Sequence, residues 1–272
     1  MPRVLVTGGT GGLGHEVVGR LIAAGTAVRI LSRRARQPGE WPSAEWVQGD
    51  LATGAGLGAA VANVDTIVHA ATSSFYRTFQ IDVQGTRRLL EQARAAGVSH
   101  IIYISIVGID QVPSYPYYGH KLAAEAIVRA AGIPWSIIRA TQFHTLIDLF
   151  LHVVTHAPIL LLPTDLLAQP IDTGEVAGYV CECIAAGPGG YLPDIGGPEI
   201  LRLDSMTRAW LAARGKRRRI IHLPLPGKTA AGIRRGLLTC PDRPYGRVTW
   251  AEWLQRTYGQ QARAPSSHSV TD

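Results

Sequence analysis

Charge and cysteine are both scarce in this chain: charged side chains make up 17% of 272 residues, and there are three cysteines. Cys181, Cys183 and Cys240 are too few and too irregular for a disulfide framework, and Cys181-Glu182-Cys183 has neither zinc-knuckle nor C-x-x-C spacing. They read as buried, inert thiols in a reducing compartment. A long apolar run is missing too, because the stretch 146–163 is broken by Asp148, His152, His156 and Pro158 and falls short of a span. The first strand starts within a few residues of Met1, with no basic-apolar-small leader pattern. A cytoplasmic protein with no membrane partner is the expectation.

Acidic residues are outnumbered, 20 against 27 Lys and Arg, for a net charge of +7. Most cations stand singly, and aromatics do not interleave with them as on a nucleic-acid reading surface, so no nucleic-acid partner is expected. The one run, Arg214-Gly215-Lys216-Arg217-Arg218-Arg219, reads as a solvated face. His152 and His156 lie one helical turn apart but lack a carboxylate at a matching offset, so no metal site is expected. There is no internal repeat, and 46% hydrophobic content suffices for a sizeable core.

What is present begins at once. Val4-Leu5-Val6 is a β-branched, apolar run; a turn containing Gly8, Gly11, Gly12 and Gly14 follows; then Val17, Val18, Leu21 and Ile22 recur at helical spacing. Strand, glycine turn and helix in that order form a compressed dinucleotide fingerprint. One glycine permits the turn, one admits a pyrophosphate to the backbone, and one lets the helix pack close. The helix N-terminus then faces the phosphates.

A second strand, 27–31, closes in Ser32-Arg33-Arg34. An acid at its end would accept from a ribose 2′-hydroxyl, whereas arginine pairs with a 2′-phosphate. Arg33 and Arg34 with no acid favour NADP(H) over NAD(H). Strands are expected at 46–51, 65–72, 100–105 and 134–139, with a helix over 82–96. Alternation at this rhythm means an α/β fold, a doubly wound parallel Rossmann-type sheet with its crevice at the carboxyl ends of the strands. Gly8 to Gly14, Arg33, Asp50, Ala70, Ala71 and Ser105 would share that edge.

Tyr117 and Lys121 are four apart in a helix that enters from a Pro/Tyr loop and ends near Gly132, so they project from one face. A lysine beside a tyrosine favours the phenolate and suits the phenol to proton transfer. Beyond residue 140 the alternation stops, with helices expected over 143–154, 203–214 and 249–258, an extended segment within 169–177 feeding a capped helix that runs to Ile184, and strands near 189–197 and 219–223. The expected division is 1–140 as dinucleotide-binding core, 141–260 as a small substrate-covering region woven onto it, and 261–272 as a disordered tail. Gln142, Phe143 and His144, just past the sixth strand, are the expected substrate contacts.

These segments resemble the short-chain dehydrogenase/reductase superfamily in its atypical, NmrA-like NAD(P)-binding branch. The carriers are the turn at 7–14, Gly49-Asp50-Leu51, His69-Ala70-Ala71, the stretch 103–108, Tyr117-x-x-x-Lys121 and Gln169-Pro170-Ile171. The resemblance implies that Gly8, Thr10, Gly11, Leu13 and Gly14 contact the pyrophosphate and Arg33 and Arg34 the 2′-phosphate. It further implies that Asp50 and Leu51 flank the adenine, with Ala70, Ala71 and Thr72 nearer the nicotinamide half. Tyr117 would be the general acid and Lys121 would hold the nicotinamide ribose. Two departures stand out: Ser105 comes early for a carbonyl-orienting serine, and Asp82 replaces an asparagine common in related enzymes. The leading expectation is an NADPH-dependent reductase of a small apolar carbonyl, quinone or activated alkene, acting as monomer or homodimer. An NADP-binding regulator without catalysis is the second, and a nucleotide-sugar epimerase the third.

Overall fold

The computed structural model describes residues 2–73, 76–154 and 159–259; His156 and the expected tail at 261–272 lie outside the described residues. The first half alternates: β1 (Arg3–Thr7), α1 (Gly12–Ala23), β2 (Ala27–Ser32), β3 (Glu45–Gln48), α2 (Leu57–Val61), β4 (Thr66–His69), α3 (Thr86–Ala95), β5 (His100–Ile106), α4 (Pro116–Ala130) and β6 (Trp135–Ala140). The second half holds α5 (His144–Val154), β7 (Ile159–Leu162), β8 (Leu167–Ala168), α6 (Thr173–Ala186), β9 (Gly190–Tyr191), β10 (Leu201–Arg202), α7 (Leu203–Ala213), β11 (Arg219–His222), α8 (Lys228–Arg234) and α9 (Trp250–Tyr258).

Seven parallel strands form one sheet in the order β3-β2-β1-β4-β5-β6-β9. Its central strands are apolar on both faces, as burial on both sides demands. Successive side chains alternate between two cores. Val4, Val6, Ile102 and Ile138 join α1 and α6 on one face, while Leu5, Ile101, Tyr103 and Ile137 join α2, α3 and α4 on the other. The order reverses between β1 and β4, so a crevice opens at their carboxyl ends.

The third strand stops at Gln48, short of the expected 51, because Asp50 N–H bonds Ala55 O at 2.9 Å and the Asp50 carboxylate accepts from Ala52 N–H at 2.9 Å. The expected helix over 82–96 is entered through a π-helical turn, Phe79–Gly85, and becomes regular only at Thr86. Short α2 and α8 had no periodic apolar signal in their Gly- and Ala-rich sequences. The second half supplies β9 to the sheet edge and α6 to its face, where Val176, Ala177 and Val180 pack against the α1 side. A third core gathers Leu151, Leu160, Met206, Trp210, Trp250 and Trp253.

Candidate nucleotide and active site

The crevice is a cavity of about 1250 Å³ that starts at the glycine turn. Gly8 is left-handed (φ 72°), and a Cβ there would stand 2.8 Å from Ala71 N on the neighbouring strand end. A Cβ on Gly14 would run into the Gly8 carbonyl oxygen. Only glycine permits this approach. No side chain caps α1 and its first turn has no acid, so its unpaired N–H groups are left for an anion. Gly8, Thr10, Gly11, Gly12, Leu13 and Gly14 all line the cavity, and this cradle fits a dinucleotide pyrophosphate.

Below the turn, a buried chain of hydrogen bonds ties the strand ends together. Ala71 N–H donates to Thr7 Oγ1 (3.3 Å), Thr7 Oγ1 lies 2.7 Å from His69 Nδ1, and His69 Nε2 lies 2.9 Å from Thr86 Oγ1, which donates to Asp82 O at 2.6 Å. Because the Thr86 hydroxyl spends its proton on Asp82 O, it accepts from Nε2–H, and Nδ1 accepts from Thr7. Burial, with Lys121's charge behind it, pushes the His69 pKa down to about 3 and keeps the ring neutral.

At the far end, Arg33, Arg34, Asp50 and Leu51 line the cavity beside β2 and β3. The two arginines differ. Arg34 is held by both oxygens of Glu40 (2.7 and 2.5 Å) and lies 5.4 Å over the Trp46 ring, so its guanidinium already has a carboxylate partner. Arg33 is exposed, and among the described residues its guanidinium has no ion-pair partner.

Tyr117 and Lys121, from the first turns of α4, both face the cavity. The Tyr117 hydroxyl lies 3.0 Å from Thr72 Oγ1, which donates to Asp82 Oδ1 at 2.6 Å. Lys121 is 3% exposed; its Nζ donates to Ile104 O at 2.7 Å, lies 4.2 Å over the Tyr103 ring and 3.9 Å from Asp82 Oδ1. Burial pulls its pKa down to about 8 against the attraction of Asp82 and Glu125. Burial also pushes Asp82 up, although Lys121, Thr72 and Ser73 oppose it.

Ser105, at the end of β5, lines the cavity beside Tyr117 and Lys121. Its hydroxyl donates to Glu125 Oε1 at 2.5 Å, and Glu125 also accepts from Arg139 (3.0 and 2.8 Å) and from the Tyr191 hydroxyl (2.8 Å). Burial alone would raise Glu125, but the bonds from Arg139, Ser105 and Tyr191 outweigh it and hold the carboxyl below its ordinary value. Sequence reasoning missed Asp82 as a Thr72 partner and Glu125 altogether; the spacing of Glu125 four after Lys121 was the available signal.

Gln142 and Phe143 line the cavity, whose further walls are apolar: Leu146, Leu149, Phe150, Leu167, Ile233 and Leu238. His144 does not line it. The ring is fully buried, stacked 5.6 Å from Trp250 and 5.7 Å from Trp253, with neither nitrogen hydrogen-bonded. Helical geometry turns it a hundred degrees from Phe143 and into the third core. Among the described residues no group of three or more His, Cys, Asp or Glu could hold a metal ion, and no helix is long and apolar enough to cross a membrane.

A glycine cradle at the switch point of a parallel sheet defines a dinucleotide-binding α/β protein. The family model described as NAD(P)H-binding matches residues 8–148, and the chain belongs to that family, within the atypical, NmrA-like short-chain dehydrogenase/reductases. The chain is 29% identical over 184 residues to the photosystem II assembly factor Ycf39 of Trieres chinensis, covering 65% of this chain and 57% of that one. It is 34% identical over 142 residues to a (4-alkanoyl-5-oxo-2,5-dihydrofuran-3-yl)methyl phosphate reductase of Streptomyces griseus, covering 52% and 48%. It thus spans about half the length of the curated relatives it matches. A short-chain dehydrogenase/reductase superfamily protein from Agrobacterium tumefaciens, solved with bound NAD, shares the fold with a TM-score of 0.72 at 21% identity, over 96% of this chain and 98% of that one.

Proposed function

We propose that this chain is an NADPH-dependent oxidoreductase that reduces a small, largely apolar carbonyl, quinone or activated alkene, with Tyr117 as proton donor. The observation that carries the reading is one continuous cavity joining an anion-ready helix N-terminus, the Tyr117 and Lys121 side chains, and an apolar chamber. When bound, the dinucleotide supplies a hydride. The α1 N–H groups bind its pyrophosphate, Arg33 pairs with its 2′-phosphate, and Asp50, Leu51, Ala70 and Ala71 flank the rest. Lys121 keeps positive charge near the phenol, which favours release of the Tyr117 proton. Thr72, anchored by Asp82, holds the Tyr117 hydroxyl until a substrate oxygen replaces it as acceptor. Gln142 and Phe143 contact the substrate.

Residues 1–140 bind the nucleotide in this reading and 141–260 wall the substrate chamber. The partner is a small molecule, and the protein acts as a cytoplasmic monomer or homodimer. The test is NADPH oxidation against a panel of carbonyls, quinones and activated alkenes. Wild type turns over at least one class, and Tyr117→Phe loses about 10²–10⁴ in kcat while still binding NADPH. Tight NADPH binding with no turnover of any class would instead support a nucleotide-binding regulator. Two observations favour that second reading: Ser105 is committed to Glu125, and the relatives include assembly factors by name. A nucleotide-sugar epimerase ranks third, since the chamber walls are too apolar for so polar a substrate.

A further inference from the structure

A broad apolar face runs outward from the mouth of the cleft. Helix α5 carries two stripes: His144, Ile147 and Leu151 turn into the core, while Leu146, Leu149, Phe150 and Val153 are 38%, 53%, 38% and 66% exposed. The second set falls at i, i+3, i+4 and i+7, one face of a helix. The parallel pair β7 and β11 behaves alike. Leu160 and Leu162 join the core of Trp210, whereas Ile159 and Leu161 point outward beside their register partners Arg219 and Ile221. From Ile221 in β11 the chain is exposed throughout 221–228 and carries Leu223 and Leu225 at 46% and 43% exposure. Leu146, Leu149, Phe150 and Leu225 also line the cavity, so its mouth lies between α5 and the segment that follows β11.

Charge along this part of the chain is mostly positive, although Asp165 pairs with Arg234 at 2.5 Å beside Leu225. Between Asp204 and Asp242 the chain has no acidic residue, and Arg217, Arg218, Arg219 and Lys228 flank the exposed leucines. Exposed apolar side chains with Arg219 beside Ile159 and further exposed cations close in the chain match an anionic lipid surface, where the leucines reach the acyl boundary and the cations meet headgroups. A second copy fits less well, because a twofold interface would bring two positively charged patches into one contact region.

We propose that the outer face of α5, β7, β11 and 221–228 is a docking surface for membranes rich in anionic lipid. The sequence expectation of no membrane partner rested on the lack of a span, which a peripheral surface does not need. The face shares Leu146, Leu149, Phe150 and Leu225 with the chamber lining, but membrane binding is read without turnover, so its failure and that of the proposed reaction are distinguishable.

The test is flotation of the full chain, without nucleotide, with phosphatidylcholine vesicles and with phosphatidylcholine–phosphatidylglycerol vesicles. Wild type floats with the anionic vesicles, far less with the neutral ones, and is released by salt. The combined Arg217→Gln, Arg218→Gln and Arg219→Gln variant binds roughly a hundredfold more weakly. Leu161→Ser with Leu223→Ser, both outside the cavity lining, weakens binding about tenfold. The two variants are measured separately, so misfolding of one leaves the other to decide. No flotation with anionic vesicles, or flotation that neither variant weakens, overturns the proposal. So does a vesicle-free dimer in sedimentation that the leucine variant dissociates, which would assign the face to a second copy.

Discussion

Arg33 and Arg34 are neighbours of the same charge that both line the cavity, yet only Arg34 has an ion-pair partner among the described residues. Arg34 has spent its fork on Glu40, and a bidentate pair of that kind is the strong form of a charge-assisted bond. Arg33→Ala is therefore expected to weaken NADPH by about tenfold or more and leave NADH unchanged, read by quenching of tryptophan fluorescence. Equal loss for both nucleotides would remove Arg33 as selector. His144 makes the converse point, since its two buried nitrogens have no partner. Burial depresses its pKa from 6.5 to about 4, although Asp172 pulls the other way. Between those values the unfolded chain binds a proton that the folded chain refuses, so stability from this group falls as pH drops from 6.5 toward 4. His144→Phe removes that loss. The variant should gain on wild type through this window, by on the order of 2 kcal/mol near pH 4 in denaturant titrations.

Whole elements are set by similar local constraints. Helix α1 can start where it does because the Gly14 Cα lies against the Gly8 carbonyl, with no room for a methyl group. Gly14→Ala must open the turn. We expect a stability loss on the order of 2 kcal/mol and no measurable binding of either nucleotide, by thermal melts and the same fluorescence titration. Unaltered binding would show that the turn is not the phosphate cradle. Helix α2 owes its position to an arginine in a strand: Arg29, 4% exposed on β2, donates to the carbonyls of Ala59, Ala60 and Ala62 at 3.1, 2.9 and 2.6 Å and pairs with Glu45 at 2.9 Å. A cation at a helix C-terminus meets its unpaired carbonyls and the negative end of its dipole. Nothing in the local sequence around residues 57–61 announces that partner.

At the scale of the molecule, the two halves of the chain share one sheet and one core. β9 hydrogen-bonds to β6, α6 covers the face that Val4, Ile102 and Ile138 present, and Gly189 N–H donates to Ser136 Oγ at 3.0 Å. A fragment ending at residue 140 would leave that face to water. It should lack a cooperative thermal transition by circular dichroism, whereas the full chain unfolds in one step. A cooperative transition in the fragment would show that the first half is an independent domain.

Much of the framework was legible in the chain. Alternating β-branched runs and amphipathic stretches determined a doubly wound sheet, because a strand buried on both faces must be apolar throughout and a covering helix must repeat at 3.6. The glycines at 8, 11 and 14 determined the cradle, because close backbone approach excludes side chains. What tertiary structure alone decided is which polar groups meet. Asp82 under Thr72, Glu125 on Ser105, Glu40 on Arg34 and the turning of His144 onto Trp250 and Trp253 each join residues brought together by packing rather than by spacing. Direction is the reason: local sequence sets where a side chain leaves the backbone, and only the assembled layers set what it finds there.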